Sequence, residues 1–140
     1  MANPPLNFST VRFHPLRAEG LPVVTIGKHR YLVVPVNLDS STGLGDGRVT
    51  VHAGRRSRNQ PLNVAVSFNG KPTDYVSVEN AGAPTQTERA TLMANAKIIG
   101  QQMQPPEPYE VRDAGDLLMI RPTGWPRVQC VGLLVKMQPD

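Results

Sequence analysis

Proline and glycine break this chain more often than any other feature shapes it: fourteen prolines and twelve glycines fall within 140 residues. The segments between them are too short for long helices, because proline removes a backbone donor and glycine weakens a helix interior. Several of these segments alternate valine with polar residues. Examples are Arg48-Val49-Thr50-Val51-His52, Asn63-Val64-Ala65-Val66-Ser67-Phe68 and Tyr75-Val76-Ser77-Val78. A period of two is the signature of a half-buried strand. The chain therefore reads as mainly β: a single-domain β-sandwich or jelly roll with at most one helix.

Strands are expected at Leu21–Ile26, Tyr31–Leu38, Arg48–Ala53, Leu62–Phe68, Asp74–Glu79, Tyr109–Arg112, Leu117–Arg121 and Val128–Met137. Gly27-Lys28-His29-Arg30 joins the first two as a hairpin. Pro22 and Pro35 suggest edge positions or bulges, since proline cannot donate to a ladder. Asn69-Gly70 opens a turn through Thr73, because both residues tolerate positive φ. Asn80-Ala81-Gly82-Ala83-Pro84 has the composition of a linker. Between Thr85 and Met103, Leu92, Ala96, Ile99 and Met103 fall on one helical face. This places a helix at about residues 86–103, with Thr87 as its cap and Glu88 near the positive end of its dipole. A strand at Ala94–Ile99 is the alternative. Pro4, Pro5 and Pro15 forbid helix near the start. Residues 1–20 are read as an extended arm and 21–140 as the domain. Phe8, Val11, Phe13 and Leu16 give the arm something to bury, as an edge strand or across a neighbouring molecule.

The chain carries few residues in catalytic or ligand-binding patterns. Gly43-Leu44-Gly45-Asp46-Gly47 lacks the spacing and the following helix of a dinucleotide loop, and no P-loop lysine follows it. His14, His29 and His52 have no ligand at metal-binding spacing. No Gly-x-Ser-x-Gly serine elbow is present. The carboxylate pairs Glu107/Glu110 and Asp113/Asp116 read as solvated. The expectation is a non-enzyme without metal or cofactor. No apolar stretch approaches the roughly 20 residues of a membrane span, and Met1-Ala2-Asn3-Pro4-Pro5 does not resemble a secretion signal. A cytoplasmic site of synthesis is expected.

Charge supplies the sharpest surface feature. Net charge is +4. Residues 1–71 hold nine Lys/Arg against three Asp/Glu, and residues 72–140 hold six against eight. Such asymmetry suits an acidic partner or head-to-tail self-association. Arg55, Arg56 and Arg58 crowd one predicted loop, and arginine forks suit carboxylate and phosphate alike. Aromatic residues make up only 5% of the chain, which argues against a stacking platform for single-stranded nucleic acid. The arginines are therefore assigned to an acidic protein surface, with a nucleic-acid-binding β-barrel as the alternative and a merely solvated loop as the third reading.

The Met-Ala-Asn-Pro opening, extended arm, short strands and basic loops together resemble the small cementing or decoration proteins of tailed-bacteriophage capsids, most closely the jelly-roll type of short-tailed phages. The resemblance implies a homodimeric virion protein on the capsid exterior that bridges subunits of the major capsid protein. Arg55, Arg56, Arg58, Phe8 and Phe13 would be its contact residues. A helix at 86–103 departs from an all-strand roll.

The one cysteine, Cys130, lies in the apolar run Val128–Val135, where a thiol behaves as a small hydrophobe. A thiol reagent should label it far more slowly in the native protein than in the unfolded chain. Cys130→Ser should destabilise by about 1–3 kcal/mol in urea unfolding. Equal labelling rates in the two states would count against a buried thiol.

Overall fold

A computed structural model describes residues 14–38, 48–57, 59–103, 108–122 and 130–138. The elements in chain order are β1 (His14–Leu16), a 3-10 turn (Ala18–Gly20), β2 (Val23–Ile26), β3 (His29–Asn37), β4 (Val49–Gly54), β5 (Leu62–Phe68), β6 (Lys71–Val78) and β7 (Ala81–Gly82). Then come α1 (Gln86–Ala94), α2 (Ala96–Gln102), β8 (Tyr109–Asp113), β9 (Leu118–Pro122) and β10 (Cys130–Met137). They form a β-sandwich with its helices on one side. The first sheet has the order β1-β6-β5-β4, and the second has β2-β3-β10-β9-β8 with β7 also on β10.

Side-chain alternation explains the layers. From β3, Leu32, Val34 and Val36 enter the core between the sheets, with Val131, Leu133 and Val135 of β10 and Val64, Val66, Val76 and Val78 of the first sheet. The intervening residues Tyr31, Val33 and Leu134 point the other way. There they pack with Val24, Leu118, Ile120, Leu92 of α1 and Ile99 of α2. β3 and β10 are thus covered on both faces, and so their sequences run nearly continuously apolar while β4 and β5 alternate.

The prolines sit where the ladder does not need their N–H. Val33 donates to Pro22 O at 2.9 Å, just beyond the last β2–β3 pair, Val23–Leu32. Position 35 directs its nitrogen to the same edge of β3, past the end of β2. In β6, Val66 pairs with Asp74 and Ser67 with Pro72, so Thr73 is the extra residue of a bulge. Asn69 and Gly70, with φ of 54° and 82°, make the expected tight turn. The strand after it begins at Lys71, earlier than the expected Asp74, because the bulge absorbs the proline.

Three readings of the sequence need revising. The helical segment is two helices divided at Asn95, and the strand alternative at Ala94–Ile99 is not what forms. The cap is Thr85 rather than Thr87: its hydroxyl accepts from Glu88 N, while the Glu88 carboxylate accepts from Thr85 N at 3.0 Å. This is a reciprocal capping box. The linker-like segment 80–84 contains β7, whose buried Ala81 and Gly82 pair with Met137 and Lys136. At the other end of the chain, the arm finishes as an edge strand, with β1 parallel to β6. Phe8 and Phe13 lie outside the described residues. So does the side chain of Cys130, whose backbone opens β10 opposite Asn37.

Gly132 leaves no room for a side chain in the helix-side layer. A Cβ there would stand 2.5 Å from Val33 Cγ1 and 2.9 Å from Ile120 Cγ2. Gly132→Ala should therefore cost about 1–3 kcal/mol through overpacking. Gly54→Ala, at a strand end where a Cβ meets nothing within 4 Å, should stay within about 0.5 kcal/mol of the parent. Urea unfolding of the two variants checks this, and equal midpoints would contradict it.

Candidate functional site

The outward face of the first sheet is assembled from alternate residues of three antiparallel strands. β4 contributes Thr50, His52 and Gly54, β5 contributes Asn63, Ala65 and Ser67, and β6 contributes Tyr75 and Ser77. Register places them in rows: Gly54–Asn63–Ser77 and His52–Ala65–Tyr75. Among these described positions none is Asp, Glu, Lys or Arg. Ala65 is only 4% exposed, and in register it stands between His52 and Tyr75. His52 and Gly54 are exposed, Ala65 is buried and the other five positions are half-buried; the face offers small polar groups, an imidazole and a phenol.

The β4–β5 connection brings Arg55 and Arg56 to the rim of that face. Both are exposed. Arg56 lines a shallow hollow of about 240 Å³ with Gln60, Pro61, Asn63 and Ser77, so the arginine loop and the neutral face are continuous. Arg58 lies outside the described residues. The structure thus joins two of the five residues expected to contact a partner, and it adds the β4–β6 face. Alternation in the three strands carried that face in the sequence; the sign was the missing charge at every second position.

Of the acids Glu107, Glu110, Asp113 and Asp116, the last three have local partners, and Glu107 lies outside the described residues. Glu110 of β8 pairs with Arg121 of β9 and, at 3.2 Å, with Arg112. Asp113 pairs with Arg89 of α1. Asp116 accepts from Ala53 N at 3.0 Å and stands 4.0 Å from His52 Nδ1. Among the described residues, no three His, Cys, Asp or Glu side chains converge as metal ligands would.

Among the described residues one charged side chain is buried, that of Glu88. The Tyr31 hydroxyl donates to its Oε2 at 3.0 Å, and Lys136 Nζ lies 3.2 Å from the same atom. His29 Nδ1 is at 4.0 Å. Burial alone would push this carboxyl up. The hydrogen bonds from the Thr85 backbone, Tyr31, Lys136 and the Thr85 side chain outweigh burial and hold it down at about 2, from an ordinary 4.5. Burial, with the adjacent carboxylate, pushes the Tyr31 hydroxyl up to about 12. Each group of the cluster ties α1 to β3 or β10, so the arrangement reads as a polar pin between the helical layer and the sheet. It also supplies the helix cap.

No protein-family model matches this chain, no curated protein resembles it significantly in sequence, and no solved structure matches it significantly.

The polar pin sets an acid limit on stability. A carboxyl depressed to about 2 from 4.5 contributes fully above pH 4.5, and its contribution disappears as pH falls toward 2. The amount is about 3 kcal/mol, from roughly 1.4 kcal/mol per unit. Glu88→Gln should be destabilised by about 2–3 kcal/mol at pH 7 and should approach the parent near pH 2. Urea unfolding across that range tests this; a gap that does not narrow with acid would exclude Glu88 as its source.

Proposed function

We propose that this chain is a non-enzymatic structural protein of a virus particle, one that docks on the outside of an icosahedral capsid and ties major capsid protein subunits together. The observation that carries the reading is the uncharged outward face of β4, β5 and β6 with Arg55 and Arg56 at its rim. Depletion of charge at the centre with polar or charged groups at the edge is the composition of a protein-docking patch. A nucleic-acid platform has the reverse arrangement, with cations spread over the face to meet phosphates and aromatic residues to stack bases.

The mechanism is mechanical. Packaged DNA pushes outward on a thin shell, and a clamp across subunit boundaries adds buried area there. Many copies act together, so weak joints sum to a strong one. The neutral face supplies contact area at low desolvation cost, and the arginines supply orientation. Homodimerisation on the shell would double the contacts of each unit. The major capsid protein is the proposed partner, with the capsid exterior as the place of action.

Attachment to protein-free shells tests the reading, with random duplex DNA as the competing ligand. Arg55→Ala/Arg56→Ala/Arg58→Ala removes several exposed contacts worth about 0–1 kcal/mol each. It should weaken attachment about tenfold at low salt and less at high salt. Asn63→Arg/Ser67→Arg, which puts charge on the neutral face, should weaken attachment at both salt concentrations and leave the unfolding midpoint unchanged. Unaltered attachment together with lost affinity for DNA would favour the nucleic-acid-binding reading.

A further inference from the structure

The loop between β4 and β5 meets the end of the β5–β6 ladder. Gln60 N donates to Ser57 O at 3.1 Å, which closes a turn and sets Gln60 beside Pro61 at the approach to β5. Asn63 and Ser77 are cross-strand partners at that end of the ladder, on its outward face. With Arg56 these residues line the hollow of about 240 Å³. Arg56 and Gln60 are exposed, and Asn63 and Ser77 are half-buried. Among the described residues, none of the four polar side chains has a hydrogen-bond or ion-pair partner. Polar groups that leave water ordinarily find partners inside the protein. Around this hollow a guanidinium, two carboxamides and a hydroxyl keep their donors for water or a ligand. Its described lining holds no carboxylate. Of the acids nearest Ser77 in the chain, Asp74 accepts from Asn37 N and Tyr75 N, and Glu79 follows the last residue of β6, outside that lining.

We propose that this hollow is a receptor for one carboxylate side chain, glutamate or aspartate, presented by the protein that docks on the neutral face. The identity of the occupant rests on the docking reading; its chemistry comes from the lining. A carboxylate accepts at both oxygens. The Arg56 fork suits the pair side by side, and Asn63, Gln60 and Ser77 supply donors for the remaining lone pairs. A lysine or arginine would meet the guanidinium as a like charge, and a neutral amide would leave it without a counter-ion. Size limits the occupant to the end of one side chain, since the hollow is smaller than the roughly 300–1,000 Å³ of pockets that enclose a drug-sized ligand. A phosphodiester has the same single charge but arrives with neighbours along its strand. The outward positions of β4, β5 and β6 offer those neighbours no lysine or arginine, so nucleic acid would set them against Ala65 and Tyr75 without a cation. Arg55 is also exposed but is not part of the lining. The two adjacent arginines therefore differ: Arg56 belongs to a shaped site, and Arg55 adds diffuse charge.

The probes are N-acetyl-glutamate methylamide, its glutamine and lysine counterparts, and dimethyl phosphate, each titrated into the full chain at low salt. Side-chain N–H signals of Arg56, Gln60 and Asn63 are read by NMR. The glutamate compound should shift them saturably in the millimolar range, as a ligand this small allows; the glutamine and lysine compounds should not. Arg56→Ala and Ser77→Ala should each weaken that binding severalfold, whereas Arg55→Ala should leave it within about twofold. Arg56 is an exposed loop residue, so its variant keeps the fold, and the urea midpoint checks this. The inference is overturned by no saturation at about 100 mM, by equal shifts from the glutamine compound, or by equal losses in Arg55→Ala and Arg56→Ala. Binding of dimethyl phosphate in place of the glutamate compound would also overturn it, in favour of nucleic acid. Attachment to protein-free shells separates the two readings, and Arg56→Ala should weaken it more than Arg55→Ala. Shells that do not bind the parent defeat the docking reading and leave the titration to decide the carboxylate site. A failed titration with attachment intact defeats this inference alone.

Discussion

The β3–β10 ladder is the constraint on which the remaining layers rest. Its register runs from Asn37–Cys130 to Tyr31–Lys136 without interruption. Both strands are covered on both faces, so polarity cannot fix this register as it does in a half-exposed sheet, where a one-residue slip would turn apolar residues to water. Size and hydrogen bonding fix it here. Gly132 has to fall between Val33 and Ile120, where a Cβ would collide. Tyr31 has to face the helical layer, because its hydroxyl reaches Glu88. A slip would put tyrosine into the inter-sheet core without a partner and leave the Glu88 carboxylate one donor short, a costly loss for a buried charge.

Outward from that ladder, the sandwich covers its edges with side chains. Gln102 of α2 donates to Thr25 O at 2.9 Å and accepts from Thr25 N at 2.8 Å. One amide thus satisfies the outer edge of β2 as a further strand would. Asp74 accepts from Asn37 N at 3.0 Å, joining the free end of β3 to the other sheet. Asp116 does the same for Ala53 of β4. These single contacts protect edges that would otherwise be open to pairing with other chains. Val49 is the position on the β4 edge that this scheme passes over.

Local chemistry was legible in the sequence where it acted alone. Leu62–Phe68 has the bounds its alternation predicts, and Asn69-Gly70 turns as its φ preferences require. Leu92 and Ile99 are buried as the helical spacing predicts. What escaped depended on a partner distant in the chain. β7 is two residues long and exists because β10 has an unfilled edge beside Ala81 and Gly82. The break comes where Asn95 leaves helical geometry, with φ of −114° and ψ of 27°; no proline or glycine marks it. The Thr85-x-x-Glu88 capping box was present in the sequence, but the acid's larger role needed Tyr31 and Lys136 to arrive from 57 and 48 residues away. Of the candidate site, the arginines were legible as composition. Their position beside a neutral face required the register of three strands.

Charge pairing changes what the sequence asymmetry means. Residues 72–140 carry the acidic excess, and five of those acids have partners within the fold. Glu88 meets Lys136, Glu110 meets Arg121 and Arg112, and Asp113 meets Arg89. Asp74 and Asp116 accept from backbone N–H groups of the opposite sheet. Arg48, Arg55 and Arg56, in the basic half, have no such partners among the described residues. Pairing any of these five acids with the basic half of another copy would require breaking contacts that hold strands and helices together. Leaving a buried or half-buried charge unpaired costs more than an exposed pair returns.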